Sequence, residues 1–179
     1  KDYGFQGNPN CKIWITIFDV PTHEDYAIIE NQWIVTGVPK ETQNGFFRDI
    51  TRLLEQFPEV GVIYKPKRPF AGMDRYNLVN VFFYGKELLE FIGEKNKFAI
   101  SRRLITLPHY IDPYIPIALG DLAITMPYTT ALFAFLAAGK TGIYYDATSI
   151  INHTYPPEID RITVGGYRDL SETIQKWLS

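Results

Sequence analysis

The sequence predicts an α/β fold with a Rossmann-like, parallel, doubly wound sheet carrying helices on both faces. Three observations predict it. Short β-branched and aromatic runs recur along the chain, amphipathic stretches separate them, and Pro, Gly or Asn closes most units. The resulting order is β-α-β-α-β-α-β-α-β followed by β-α, and parallel strands need such crossovers to be joined.

Lys12 to Val20 (KIWITIFDV) is β-branched and aromatic and ends at Asp19 and Pro21, which makes it the first strand. Residues 21–45 mix Pro, Thr, His, Asp, Gly and Asn around IIENQWIV, a composition that predicts a decorated loop or irregular insertion. From Phe46 to Phe57, the residues Phe47, Ile50, Leu53, Leu54 and Phe57 fall on one helical face, and Pro58 ends the helix. Val60 to Tyr64 (VGVIY) is all apolar, as in a strand covered on both faces. It runs straight into Lys65, Pro66, Lys67, Arg68 and Pro69.

Lys86 to Lys97 predicts a helix with Leu88, Leu89, Phe91 and Ile92 inward, and Arg103 to Leu107 a third strand closed by Pro108 and His109. Ile115 to Leu119 reads as a short helix and Leu122 to Thr125 as the fourth strand. Thr129 to Ala138 is built of good helix formers, with Gly139 as its C-cap. Ile143 to Tyr145 is the fifth strand. Arg161 to Val164 and Leu170 to Leu178 supply a last strand and helix, with Ser171 and Glu172 near the helix start.

At 179 residues the chain fits one domain, residues 12–179, with residues 1–11 a linker or the cut edge of a longer chain. Its 46% hydrophobic and 21% charged content predicts a real core and excludes a disordered chain. A net charge of −2 gives no sequence-wide reason to bind nucleic acid or an acidic membrane, so any anion site must be local. The single cysteine, Cys11, makes neither an internal disulfide nor a thiolate metal cluster, which fits the cytoplasm. The longest apolar stretch, Thr129 to Gly139, falls short of the ~20 residues a membrane span needs, which leaves peripheral membrane contact.

Ligands of open α/β sheets bind beyond the carboxyl ends of the strands. That rule selects Asp19 and Pro21, then Lys65, Lys67 and Arg68, then Pro108 and His109, then Met126 to Thr130, then Asp146 to Ser149. The set is basic and rich in hydroxyls, which suits a phosphate. In Met126-Pro127-Tyr128-Thr129-Thr130 the two threonines open a helix, where free amides and the positive end of the dipole favour an anion. Lys65 and Lys67 flank a stiffening Pro66, and His109 can reach a phosphate. Asp19 and Asp146 can accept from sugar or ribose hydroxyls. Each has a plain structural counterpart: Thr129 as an N-cap, the lysines as a solvated turn, His109 as a structural polar group, Asp146 as a turn cap. No GxGxxG follows the first strand, and GxxxxGK[ST], GxSxG and HExxH do not occur, so four common enzyme classes lack their motif.

The segment Gly120 to Asp146, GDLAITMPYTTALFAFLAAGKTGIYYD, resembles a unit of the C-terminal, nucleotide-sugar-binding domains of GT-B glycosyltransferases, especially bacterial enzymes of surface and capsular polysaccharide synthesis. The match rests on Asp121 opening a strand, Thr129 and Thr130 opening a helix, Gly139 and Lys140 closing it, and Asp146 ending the next strand. Phe18-Asp19-Val20-Pro21 and Val62-Ile63-Tyr64-Lys65-Pro66-Lys67 look like the first two strand ends of such domains. His109 with Thr129 and Thr130 is similar in placement to the phosphate-holding groups of transferases that use CMP-activated acidic sugars, although Tyr110 stands where those have Pro. The helix TTALFAFLAAG lacks the ribose-holding Glu of many UDP-sugar enzymes.

The resemblance implies a nucleotide-sugar substrate, no cofactor and no metal. It assigns Lys65, Lys67, His109, Tyr128, Thr129 and Thr130 to the donor phosphate, and leaves the catalytic residues unknown. It also implies a glycan acceptor held by an N-terminal domain that this chain does not contain. Two other classes stay open: a sugar-nucleotide epimerase of related architecture, and a non-catalytic interaction module contacting partners through Tyr110, Tyr114, Tyr128 and Tyr155.

Overall fold

The computed structural model describes residues 6–20, 28–29, 32–33, 40–67, 86–93, 95–127, 129–149 and 162–179. Six parallel strands form the sheet: β1 (Ile13–Phe18), β4 (Val60–Lys65), β5 (Leu104–Thr106), β6 (Leu122–Thr125), β7 (Thr141–Asp146) and β8 (Thr163–Gly165). They lie in the order β5-β4-β1-β6-β7-β8. A separate antiparallel pair, β2 (Ile28–Ile29) and β3 (Gln32–Trp33), falls in the stretch expected to be irregular. The chain winds outward from β1 to β4 and β5, then returns to place β6 on the other side of β1. The Rossmann-like α/β fold is therefore present, and its direction of winding reverses between β1 and β6.

Six helices are described: α1 (Lys40–Gln56), α2 (Lys86–Ile92), α3 (Lys97–Ile100), α4 (Tyr114–Leu119), α5 (Ala131–Ala137) and α6 (Gly166–Leu178). They cover both faces because strand residues alternate. Ile15, Ile17, Val62, Tyr64, Ile124 and Tyr145 pack with Phe46, Phe47, Ile50 and Leu54 of α1, Phe91 of α2 and Leu170 and Ile174 of α6. Phe18, Ala123 and Tyr144 point the other way, onto Ile117 of α4 and Leu132 and Phe135 of α5.

Two expectations shift. Helix α1 begins at Lys40 and not at Phe46, because Thr42 and Gln43 are buried through tertiary contacts that carry no apolar periodicity. The Gln43 amide donates to the Val20 carbonyl at 3.3 Å. Gly45 is needed there, since a Cβ would stand 2.8 Å from that of Ala147. The single helix expected over Lys86 to Lys97 is two: Gly93 interrupts it, and Asn96 accepts the Phe98 N–H at 2.8 Å to cap α3.

Two long basic side chains finish helix ends. The Arg103 guanidinium donates to the carbonyls of Leu54, Phe57 and Val60, closing α1. Lys140 donates to the carbonyls of Ile117, Ala118 and Gly120 at 2.7, 3.0 and 2.5 Å, closing α4. Gly139, at φ +73°, ends α5 in the left-handed conformation glycine tolerates, as expected of a C-cap. From Asn8 the N-terminal segment is tied down, its backbone N–H donating to Arg102 and its side chain to the Ser101 carbonyl.

Candidate functional site

A cleft of about 380 Å³ opens at the carboxyl edge of the sheet, where the winding reverses. Phe18 and Asp19 at the end of β1, Lys65 and Lys67 at the end of β4, and Thr129 and Thr130 after β6 meet there. Pro113 at the N-cap of α4, Tyr114 and Ile117 of α4, and Ala131 and Ala134 of α5 form the rest of its wall. A larger groove of about 500 Å³ lies under edge strand β5, lined mainly by Leu104, Ile105, Leu107, Ile111, Ile115 and Leu119. Its polar side chains are those of Gln6, Arg102 and Thr106, whereas the smaller cleft gathers two ammonium groups, a carboxylate and the hydroxyls of Thr129, Thr130 and Tyr114.

The cleft's polar wall is organised by Asp19, only 4% exposed. Its Oδ2 accepts the Tyr64 hydroxyl at 3.0 Å and its Oδ1 the backbone N–H of Lys67 at 2.7 Å. Burial pushes the Asp19 carboxyl above its usual range, against the pull of those two hydrogen bonds and of the Lys65 charge. Both oxygens are thus already engaged by protein donors in the structure.

Lys65 is 7% exposed, and its Nζ donates to the carbonyls of His109 at 2.6 Å and Pro66 at 3.1 Å. Burial lowers its pKa and the Asp19 charge opposes the fall. An ammonium carries three donors, so with two given to carbonyls one remains for the cleft that Lys65 lines. Lys67 is exposed, lines the same cleft and joins no ion pair among the described residues. Two cations against one carboxylate give the cleft a positive balance, which favours an anion.

The other expected residues are placed differently. The His109 ring does not line the cleft; its carbonyl holds Lys65, and its ring stands edge-on to Tyr110 at 5.5 Å. Helix α5 begins at Ala131 and is seven residues long, shorter at both ends than the expected helix. Thr129 is buried, its hydroxyl accepts the Ala131 N–H at 3.4 Å and its carbonyl accepts the Tyr144 hydroxyl at 2.8 Å, so it acts as a capping residue. Thr130 is exposed and makes no capping bond. Asp146 is fully buried at the end of β7, away from the cleft, and its Oδ1 accepts the Thr148 N–H at 3.0 Å and hydroxyl at 2.7 Å, the geometry of a turn cap. Tyr128, Arg68 and Pro21 lie outside the described residues.

Asp121 and Lys140, two landmarks of the resembling segment, act in the scaffold: Asp121 Oδ2 accepts the Trp14 N–H at 2.8 Å, and Lys140 closes α4. Sequence reasoning did not bring in Pro113, Ile117, Ala131 or Ala134 as site residues, and it named Tyr114 only as a partner contact. Their signal is faint, the i, i+3 spacing of Tyr114 with Ile117 and of Ala131 with Ala134, and it becomes a site only when α4 and α5 pack together.

Comparison with curated proteins and with solved structures gives no match. A family model, that of the polysaccharide biosynthesis PFTS motif proteins, matches residues 5–174. With nearly the whole chain covered, the protein belongs to the family of polysaccharide biosynthesis PFTS motif proteins.

Proposed function

We propose that, within the general role in polysaccharide biosynthesis that its family carries, this chain is the nucleotide-sugar-binding domain of a metal-independent glycosyltransferase. The observation that carries the reading is the convergence of Lys65 and Lys67 in one cleft at the reversal of the sheet, the place where α/β folds hold nucleotides. In this reading the donor phosphate lies against the free N–H of Lys65, the Lys67 ammonium and the Thr130 hydroxyl. These groups stabilise the negative charge that grows on the departing nucleotide. The acceptor and the catalytic base belong to a second domain, and the reaction takes place on the cytoplasmic side.

The family description adds support. Read as residue codes, its motif has a counterpart in Pro127-Tyr128-Thr129-Thr130, which keeps Pro and Thr and exchanges Phe for Tyr and Ser for Thr. Of the three described residues among these, Thr129 and Thr130 line the cleft.

Calorimetric titration of the chain with CMP, UDP and GDP tests the reading. Saturable binding of at least one nucleotide, weakened by Lys65→Met and by Thr130→Ala, is the expected result. Absence of binding by all three, with the fold intact, would overturn it and favour an interaction module.

A further inference from the structure

The lining of the cleft also has an apolar part. Tyr114 is 71% exposed, the same as Ile100 and little less than Tyr110, yet unlike those two it lines the cleft. Its backbone is fixed from two sides. Pro113 precedes it in helical conformation, and the Tyr114 N–H donates to Asp112 Oδ1 at 2.9 Å. Among the described residues the ring makes no aromatic contact and the hydroxyl no hydrogen bond. It is an exposed aromatic ring on a fixed backbone at a cavity rim.

Ala131 and Ala134, three residues apart on α5, line the same cleft, as does Ile117, one turn along α4 from Tyr114. Tyr114, Ile117, Ala131 and Ala134 make up an apolar part of that lining, a slot whose one polar group among these four is the Tyr114 hydroxyl. Such a slot has little to offer a sugar, whose hydroxyls need polar partners, and much to offer a flat heteroaromatic ring, which stacks on an aromatic face whatever its edge pattern.

We propose that the nucleobase of the bound nucleotide occupies this slot, stacked on Tyr114 and backed by Ala131 and Ala134, while its phosphate reaches Lys65 and Lys67. The inference rests on the reading of the cleft as a nucleotide site and adds which part of it takes the base and by what force. Stacking on an exposed tyrosine is tolerant of base identity, so this contact supplies affinity, and discrimination between bases falls to other groups.

The experiment compares a nucleoside monophosphate with ribose 5-phosphate, which shares its phosphate and pentose but has no base. Calorimetry with CMP, UMP, GMP and ribose 5-phosphate is run on the unaltered chain, Tyr114→Phe and Tyr114→Ala. The phenylalanine variant is expected to bind like the parent; the alanine variant should lose at least about fivefold for the nucleotide, the lower end of base–aromatic stacking. Binding of ribose 5-phosphate should not change. Because Tyr114 is exposed, neither change should alter the melting temperature. As a second variant, Ala134→Leu narrows the slot and should weaken the nucleotide while sparing ribose 5-phosphate.

Nucleotide binding untouched by both Tyr114→Ala and Ala134→Leu would place the base elsewhere and overturn the inference while leaving the cleft reading intact. Equal losses for nucleotide and ribose 5-phosphate would make Tyr114 a shaper of the phosphate site, which also overturns it. No nucleotide binding by the unaltered chain would remove the reading beneath it.

Discussion

The carboxylate of Asp19 accepts the backbone N–H of Lys67 at 2.7 Å, tying the end of β1 to the turn after β4. The same carboxylate takes the hydroxyl of Tyr64, so one side chain fixes the backbone on which both cleft lysines stand. A group that stays mostly covered while holding a cationic turn has a pH signature.

Burial raises the Asp19 pKa above its ordinary 3.8. Below that ordinary value the carboxyl is protonated in folded and unfolded chains alike, and its contribution is fully present. As pH rises, the unfolded chain ionises first, so stability declines until the folded carboxyl has also ionised. Asp19→Asn removes this decline. Melting curves of the two proteins from about pH 4 to pH 8 should converge or cross in the variant's favour as pH rises; parallel curves would show that Asp19 titrates as in the unfolded chain.

Lys65 and Lys67 should separate by what they lose. Lys65→Met removes the donor shared by the His109 and Pro66 carbonyls, so it should cost stability of about 1–3 kcal/mol and weaken nucleotide binding as well. Lys67→Met leaves its backbone N–H on Asp19 and should change binding alone, with a smaller effect because an exposed ammonium is well screened. Chemical denaturation beside nucleotide titration checks both. Equal destabilisation by the two changes would contradict the assignment.

The parallel strands are legible in the sequence because all but the last, Thr163–Gly165, centre on a short run rich in apolar residues, with residues such as Ile15 and Phe18 buried on opposite faces. The two lysines are legible because they follow a strand, and strand ends in this fold face the ligand edge. His109 was legible as a position but not as a role, since what it contributes is a carbonyl, and backbone groups leave no trace in residue type. The same holds for the first turn of α1, where buried Thr42 and Gln43 look like loop residues until the strand loops they touch are in view. The apolar part of the cleft depends on how α4 and α5 approach each other, and that is tertiary information. Gly139-Lys140, a landmark of the resemblance, has a local mechanical explanation in the closing of two helix ends.

That explanation for Lys140 predicts a stability effect without a binding effect. Its ammonium satisfies three carbonyls at the end of α4, and Lys140→Met leaves them to solvent or to nothing. The expected loss is about 1–3 kcal/mol in denaturant unfolding, with nucleotide affinity of the folded fraction unchanged. Loss of affinity without loss of stability would instead put Lys140 in the site.

The placement of α5 can be tested through the glycine beneath it. A Cβ on Gly142 of β7 would lie 2.5 Å from Leu132 Cδ1 and 3.0 Å from the Ala123 Cβ, so an alanine there must push on α5, the helix that carries Ala131 and Ala134. Gly142→Ala should cost about 1–3 kcal/mol by overpacking. Leu132→Ala alone should cost about 2–5 kcal/mol, because Leu132 is fully buried and its loss leaves a void. Combined, the new methyl enters the space the leucine vacates, so the double variant should be more stable than the sum of the two single losses predicts. A strictly additive result in denaturant unfolding would mean that the two side chains do not share that space and that α5 lies farther from β7 than the structure has it.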